Sequence, residues 1–162
     1  MIKFLVMDVD GTLTDGKIYI GNDGEIMKVF NVKDGYGIKQ KLIPNNIIPI
    51  IITGRSSKSL INRCHEIGIE NIYQNQSNKL TTLIHILRTY SMKDGIEYTL
   101  KDVAYIGDDL NDFEIMNEIN IKNGITGCPA DSAKQIKQIS KYICIQNGGM
   151  GAVREFIDRL LE

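Results

Sequence analysis

The chain has 162 residues, 43% of them hydrophobic and 24% charged, an ordinary globular composition that excludes a disordered segment. Its 19 Lys and Arg against 20 Asp and Glu leave a formal charge of −1, which argues against nucleic acid or an anionic membrane as a bulk electrostatic partner. The length predicts a single domain over 1–162, given domains of roughly 100–150 residues, and no apolar run approaches the ~20 residues of a bilayer span.

In chain order, Ile2 to Met7 reads as a buried strand that stops at Asp8. This start is not a secretory signal, and the expected compartment is the cytoplasm. Lys17 to Phe30 alternates about Asp23-Gly24 and predicts a β-hairpin at about 17–31, overhanging the carboxyl end of strand one. Ile47 to Ile52 is a second strand, stopping at Thr53. Leu60, Ile61, Cys64 and Ile67 share a helical face, with Gly68 as cap. Leu80, Leu83, Ile84 and Leu87 repeat the pattern. Ser91 to Thr99 is polar and predicts a mobile loop. Val103 to Ile106 is a third strand, stopping at Gly107-Asp108, and Val153, Phe156, Ile157 and Leu160 give a closing helix. Continuous apolar strands alternating with amphipathic helices predict an α/β, doubly wound (Rossmann-like) parallel sheet.

Three separated cysteines, Cys64, Cys128 and Cys144, indicate neither a disulfide framework nor a zinc cage. His65 and His85 fall in helical patterns and read as structural, so a histidine triad or histidine-metal site is not expected.

In open α/β sheets the ligand site lies beyond the carboxyl ends of the strands. There the sequence delivers Asp8-Val9-Asp10-Gly11-Thr12, Thr53-Gly54-Arg55 and Gly107-Asp108-Asp109-Leu110-Asn111-Asp112, with Ser77-Asn78-Lys79 ahead of a helix. Clustered carboxylates repel unless a cation neutralises them, and an oxygen-only set suits a hard ion such as Mg²⁺. A carboxylate can attack phosphorus, and a second one can serve as general acid and base. A hydroxyl, backbone N–H groups and a lysine can hold phosphoryl oxygens. Taken singly, Asp109 and Asp112 also suit helix N-caps.

The four motifs, Asp8-x-Asp10-Gly11-Thr12, Thr53, Lys79 and Gly107-Asp108-Asp109-x-x-Asp112, resemble in order those of the haloacid dehalogenase superfamily. The resemblance implies Asp8 as nucleophile and Asp10 as general acid and base. It implies Thr53 and Lys79 on phosphate, with Gly11, Gly54, Arg55, Asn78 and Asn111 around phosphate or substrate. Asp8, the Asp10 carbonyl and Asp108 would hold Mg²⁺, with Asp109 and Asp112 behind them or acting through water. Neither intervening stretch is long enough for a cap domain.

Further strings narrow the resemblance. Asp15-Gly16, Phe30 to Ile38, Gln76-Ser77-Asn78-Lys79 and Gly148 to Glu155 are similar to the 3-deoxy-D-manno-octulosonate 8-phosphate phosphatase family. Thr12 and Leu13 depart from the valine and leucine common there, though they match the wider superfamily. That family implies a sugar-acid phosphate substrate, a place in lipopolysaccharide biosynthesis, and a homotetramer packed through the hairpins. The apolar hairpin residues Ile18, Ile20, Ile26 and Val29 suit such an interface, or a hairpin folded back on its own domain. Arg55 suits a substrate carboxylate. Lys33, Asp34 and Tyr36 either touch substrate or build the hairpin base. The Gly148-Gly149-Met150-Gly151 run lacks the phosphate-loop pattern and reads as a flexible helix start, with Arg154 a carboxylate or phosphate contact implied by the resemblance. Alternatives are an N-acylneuraminate 9-phosphate phosphatase and a non-catalytic assembly domain. A signalling receiver domain would carry its acidic pair adjacently, not as Asp8-x-Asp10 on strand one.

Overall fold

A computed structural model describes residues 1–162. Its centre is a six-stranded parallel sheet in the order β5-β4-β1-β6-β7-β8. The strands are β1 (Phe4–Met7), β4 (Ile48–Ile52), β5 (Asn71–Tyr73), β6 (Val103–Ile106), β7 (Ile125–Cys128) and β8 (Tyr142–Ile143). β2 (Tyr19–Gly21) and β3 (Gly24–Met27) form a separate antiparallel hairpin. The helices are α1 (Val32–Tyr36), α2 (Lys58–Glu66), α3 (Lys79–Asp94), α4 (Phe113–Ile121), α5 (Lys134–Ile139) and α6 (Ala152–Leu160). No helix is long and apolar enough to cross a membrane.

The central strands are apolar throughout because both faces of the sheet are covered. Alternate residues of each strand enter opposite cores. Leu5, Met7, Ile51, Ala104 and Ile106 pack with Ile38, Leu42, Leu60, Phe156 and Ile157. Phe4, Val6, Ile50, Ile52 and Tyr105 pack with Leu83, Ile86, Leu87, Ile115 and Met116. Met7 is in register with both Ile51 and Ile106, so the three middle strands end level. The chain leaves β1 toward β4 and leaves β6 toward β7, which opens a crevice between the carboxyl ends of β1 and β6.

The doubly wound sheet and the hairpin agree with expectation, while two local readings are corrected and three strands are added. The hairpin turn is Asn22-Asp23, since Gly21 pairs with Gly24, and Gly24 opens the return strand at φ +107°. Ser91 to Thr99 is not a loop throughout. α3 continues to Asp94 and is closed by Gly95 in the left-handed region. Tyr98 then packs edge-on against Phe4 at 5.0 Å, which ties the segment to the core. Strands β5, β7 and β8 had no apolar run long enough to announce them. The cysteines are all free and buried, and the two histidines lie exposed on α2 and α3.

Candidate active site

Asp8 directly follows β1 and is buried, with its N–H donating to the Ile106 carbonyl at 3.0 Å. Lys79 opens α3, where the Asn78 side chain caps the helix by accepting the Thr81 N–H at 2.8 Å. That cap aims the Lys79 ammonium inward, 2.9 Å from Asp8 Oδ1 and 2.7 Å from Asp112 Oδ1. Asp112 is fully buried and saturated with donors. Besides Lys79 it accepts the Tyr105 hydroxyl at 2.6 Å and the Asp108 N–H at 2.9 Å. Asp112 therefore anchors the lysine and the loop after β6.

Asp108 lies beside Asp8, and Thr12 Oγ1 donates to its Oδ1 at 3.2 Å. It presses on Gly11, where a Cβ would meet Asp108 Oδ2 at 2.0 Å, and the Gly11 φ of +88° is one that glycine adopts without strain. Carboxylate oxygens of Asp8, Asp108 and Asp112 lie within 4.8 Å of one another. Burial, then the neighbouring Asp112 charge, pushes Asp8 up to about 7 against the pull of Lys79. Burial and the Asp8 charge push Asp108 up to about 8. Burial is the larger cause for both, and a cation between the two carboxylates would favour their ionised forms. The donor set is oxygen-only, and it fits a hard divalent cation.

Asp10 emerges from the same loop but turns the other way. Its Oδ1 is 2.5 Å from Lys28 Nζ, and its Oδ2 is 3.9 Å from Arg55 Nε. Lys28 comes from the hairpin and also reaches Glu25, which accepts from Arg55 Nη2 at 3.0 Å. Thr53 is buried at the end of β4, and Gly54 and Arg55 follow it on the exposed rim.

Asp8, Asp108 and Lys79 thus meet in the crevice, and Thr53 ends the neighbouring strand β4. Asp109 does not join the acidic cluster: it is exposed, and its side chain accepts the Leu110 N–H at 2.8 Å, the helix-cap alternative. Asn111 is exposed on the same turn, and Asn78 is spent on its cap. Asp34 takes the structural alternative. It is buried, accepts the Arg154 N–H at 2.8 Å at the start of α6, and is pushed up to about 6 by burial. The Arg154 guanidinium pairs with Asp158 at 3.0 Å and lies over the Tyr36 ring. Lys33 and Arg154 line a cavity of about 650 Å³ whose walls include none of the crevice acids.

The Gly148 run is not a flexible helix start. Gly149 N–H donates to the Thr12 carbonyl at 3.1 Å, and a Cβ on Gly148 would lie 1.9 Å from the Gly11 carbonyl oxygen. Its glycines let two backbones touch beneath the Asp10-Gly11-Thr12 loop. Sequence reasoning missed Lys28, Glu25 and Tyr105. The first two read as hairpin surface, and Tyr105 as one more residue of a buried strand.

No family model matches the chain. A solved Legionella pneumophila structure described as a HAD superfamily (subfamily III A) hydrolase by assignment superposes with a TM-score of 0.88 at 32% identity. The alignment covers 99% of this chain and 82% of that one. The class is thereby defined: a haloacid dehalogenase-type α/β protein with its acids at the carboxyl edge of the sheet. The chain is also 42% identical over 160 residues to the 3-deoxy-D-manno-octulosonate 8-phosphate phosphatase of Salmonella typhi, covering 99% of this chain and 79% of that protein. The Moraxella catarrhalis phosphatase of the same name, solved with magnesium ion, phosphate ion and KDO, matches with a TM-score of 0.86 at 41% identity, over 99% of this chain and 86% of that one. The chain belongs to the 3-deoxy-D-manno-octulosonate 8-phosphate phosphatase family.

Proposed function

We propose that this chain is a capless single-domain phosphatase that hydrolyses 3-deoxy-D-manno-octulosonate 8-phosphate in the cytoplasm with Mg²⁺ bound. The observation that carries the reading is the buried contact of Lys79 with Asp8 beside Asp108. An anionic nucleophile, a fixed cation and a second acid converge where a phosphoryl group would sit.

In this reading an Asp8 carboxylate oxygen attacks phosphorus and the ester P–O bond breaks. Asp10 gives its proton to the departing sugar oxygen. Asp10 then takes a proton from water, whose oxygen attacks the aspartyl phosphate and releases inorganic phosphate while restoring Asp8. Lys79, the Thr53 hydroxyl and backbone N–H groups of the Gly11 and Gly54 loops hold the phosphoryl oxygens. Mg²⁺, held by Asp8, Asp108 and the Asp10 carbonyl, would supply the positive charge that lets both carboxylates ionise together. Arg55, on the rim, suits the carboxylate of a sugar acid.

The hairpin supports assembly as a homotetramer. Ile20 and Ile26 are each 64% exposed, and Val29 on the same hairpin is exposed as well. Exposed apolar patches of this kind mark interfaces.

The test is phosphate release with Mg²⁺ from 3-deoxy-D-manno-octulosonate 8-phosphate, N-acetylneuraminate 9-phosphate and glucose 6-phosphate. Asp8→Asn serves as blank, with an expected loss of at least about 10⁴-fold, the scale on which removing a nucleophile acts elsewhere. The first ester should be strongly preferred. Preference for the second would move the substrate and keep the chemistry. No release from any ester by folded protein would sink the enzymatic reading.

A further inference from the structure

The hairpin is exposed along most of its length, yet two of its charged residues are not. The Lys28 side chain is 3% exposed and that of Glu25 is 9% exposed. Both fold back over the rim of the crevice. Lys28 Nζ bridges Asp10 Oδ1 at 2.5 Å and Glu25 Oε1 at 3.2 Å. Glu25 Oε2 in turn accepts from Arg55 Nη2 at 3.0 Å. Two carboxylates and two cations therefore alternate from the general acid to the rim.

Stability is a weak reason for this arrangement. A buried ion pair is often no better than apolar residues of similar volume, such as the Ile18, Ile20, Ile26 and Val29 that the same hairpin carries. What the charges add is orientation. Arg55 stands on an exposed loop after β4, where a long flexible side chain would sample many rotamers. Glu25 engages one of its terminal nitrogens and Nε faces Asp10 Oδ2 at 3.9 Å, which leaves the other terminal nitrogen of a half-exposed guanidinium free. Next to it, between the hairpin and the start of α2, a cleft of about 420 Å³ opens, lined in part by Glu25, Ile26, Ser57 and Gln74.

We propose that Glu25 is a positioning residue for specificity: it holds the Arg55 fork in place to receive the substrate's carboxylate, which makes the hairpin part of its own chain's substrate pocket. This rests on the sugar-acid reading above. Pre-organising a donor lowers the ordering cost of binding, so the effect belongs in KM for the acid ester.

The experiment uses the full chain with Mg²⁺ and compares 3-deoxy-D-manno-octulosonate 8-phosphate with p-nitrophenyl phosphate, whose tail has no carboxylate. Glu25→Gln should lose about tenfold more kcat/KM on the acid ester than on the neutral one, with the difference carried by KM. Arg55→Ala should lose at least as much of that preference. The double variant should be no worse than Arg55→Ala alone, because both substitutions remove one device. Glu25→Asp, which keeps the charge on a shorter stem, should fall between wild type and Glu25→Gln and serves if the latter does not fold. Equal losses on both esters, additive losses in the double variant, or full retention of preference in Glu25→Asp would overturn the proposal. Wild-type protein without any preference for the acid ester overturns the substrate reading itself, and is recognised before any substitution is made.

Discussion

The Tyr105 hydroxyl donates to Asp112 Oδ1 at 2.6 Å, and the same oxygen receives the Lys79 ammonium at 2.7 Å. A strand residue from the middle of the sheet thus helps to fix the cation that faces the nucleophile. Burial alone would lower the Lys79 pKa, but the Asp112 and Asp8 charges outweigh it and the net shift is upward. The lysine remains charged at every working pH, and its position depends on Asp112.

That dependence gives graded costs. Asp112→Asn breaks a buried pair and should destabilise the protein by about 3–5 kcal/mol. Tyr105→Phe removes one donor from an acceptor that keeps others, and should cost about 1 kcal/mol with a smaller loss of kcat. Urea unfolding of both variants checks the order. Equal costs would mean that Tyr105 holds Asp112 as firmly as Lys79 does.

The metal-free acids predict a pH dependence. Asp8 and Asp108 are pushed up to about 7 and about 8 from an ordinary 3.8. The folded state therefore binds protons more tightly than the unfolded chain. Their stabilisation is complete below about pH 4 and is lost as pH rises through 7 and 8. Mg²⁺ requires the ionised forms, so it should raise Tm more at pH 8 than at pH 5.5. Thermal melts with Mg²⁺ and with EDTA at both pH values measure this, and equal shifts would remove these acids from the metal site.

Gly148 should tolerate nothing larger. Its added methyl would lie 1.9 Å from the Gly11 carbonyl oxygen and 2.6 Å from the Gly11 carbonyl carbon, which are backbone atoms that cannot rotate away. Gly148→Ala should cost about 1–3 kcal/mol by overpacking. It should also lower kcat more than Asp112-remote surface changes do, because the displaced loop carries Asp10. Melting temperature and steady-state kinetics together decide it. A variant with wild-type values for both would show that the two loops separate freely.

The hairpin surface predicts a concentration-dependent assembly. Ile20→Lys with Ile26→Lys places two charges among the exposed apolar residues and should convert the proposed tetramer to smaller species in sedimentation velocity. A wild-type monomer, or a variant that still assembles, would exclude the hairpin as the interface.

Much of the site is legible in the sequence because each of its parts is local. An apolar run that stops at Asp8, Thr53 or Asp108 marks a strand end, and in a parallel sheet strand ends share one edge. The amphipathic spacing of α2, α3 and α6 is likewise a property of a few turns of chain. Strands β5, β7 and β8 escape that reading because Asn71–Tyr73, Ile125–Cys128 and Tyr142–Ile143 are short and mixed in polarity. Their extended state comes from pairing with neighbours already in place. The end of α3 escapes it too, since Ser91, Lys93 and Asp94 are polar and Met92 is exposed on the last turn.

The parallel sheet, its carboxyl edge and the acids, threonine and lysine gathered there follow from the order of residues along the chain. How their charges are apportioned depends on packing. Lys28 and Glu25 join Asp10 and Arg55 because the hairpin folds back, Asp112 serves Lys79 because β6 lies beside β1, and Asp34 caps α6 instead of facing the crevice. Periodicity and strand ends are encoded over a few neighbouring residues. Which charged groups share a buried space depends on contacts between distant segments, and those exist only once the chain has packed.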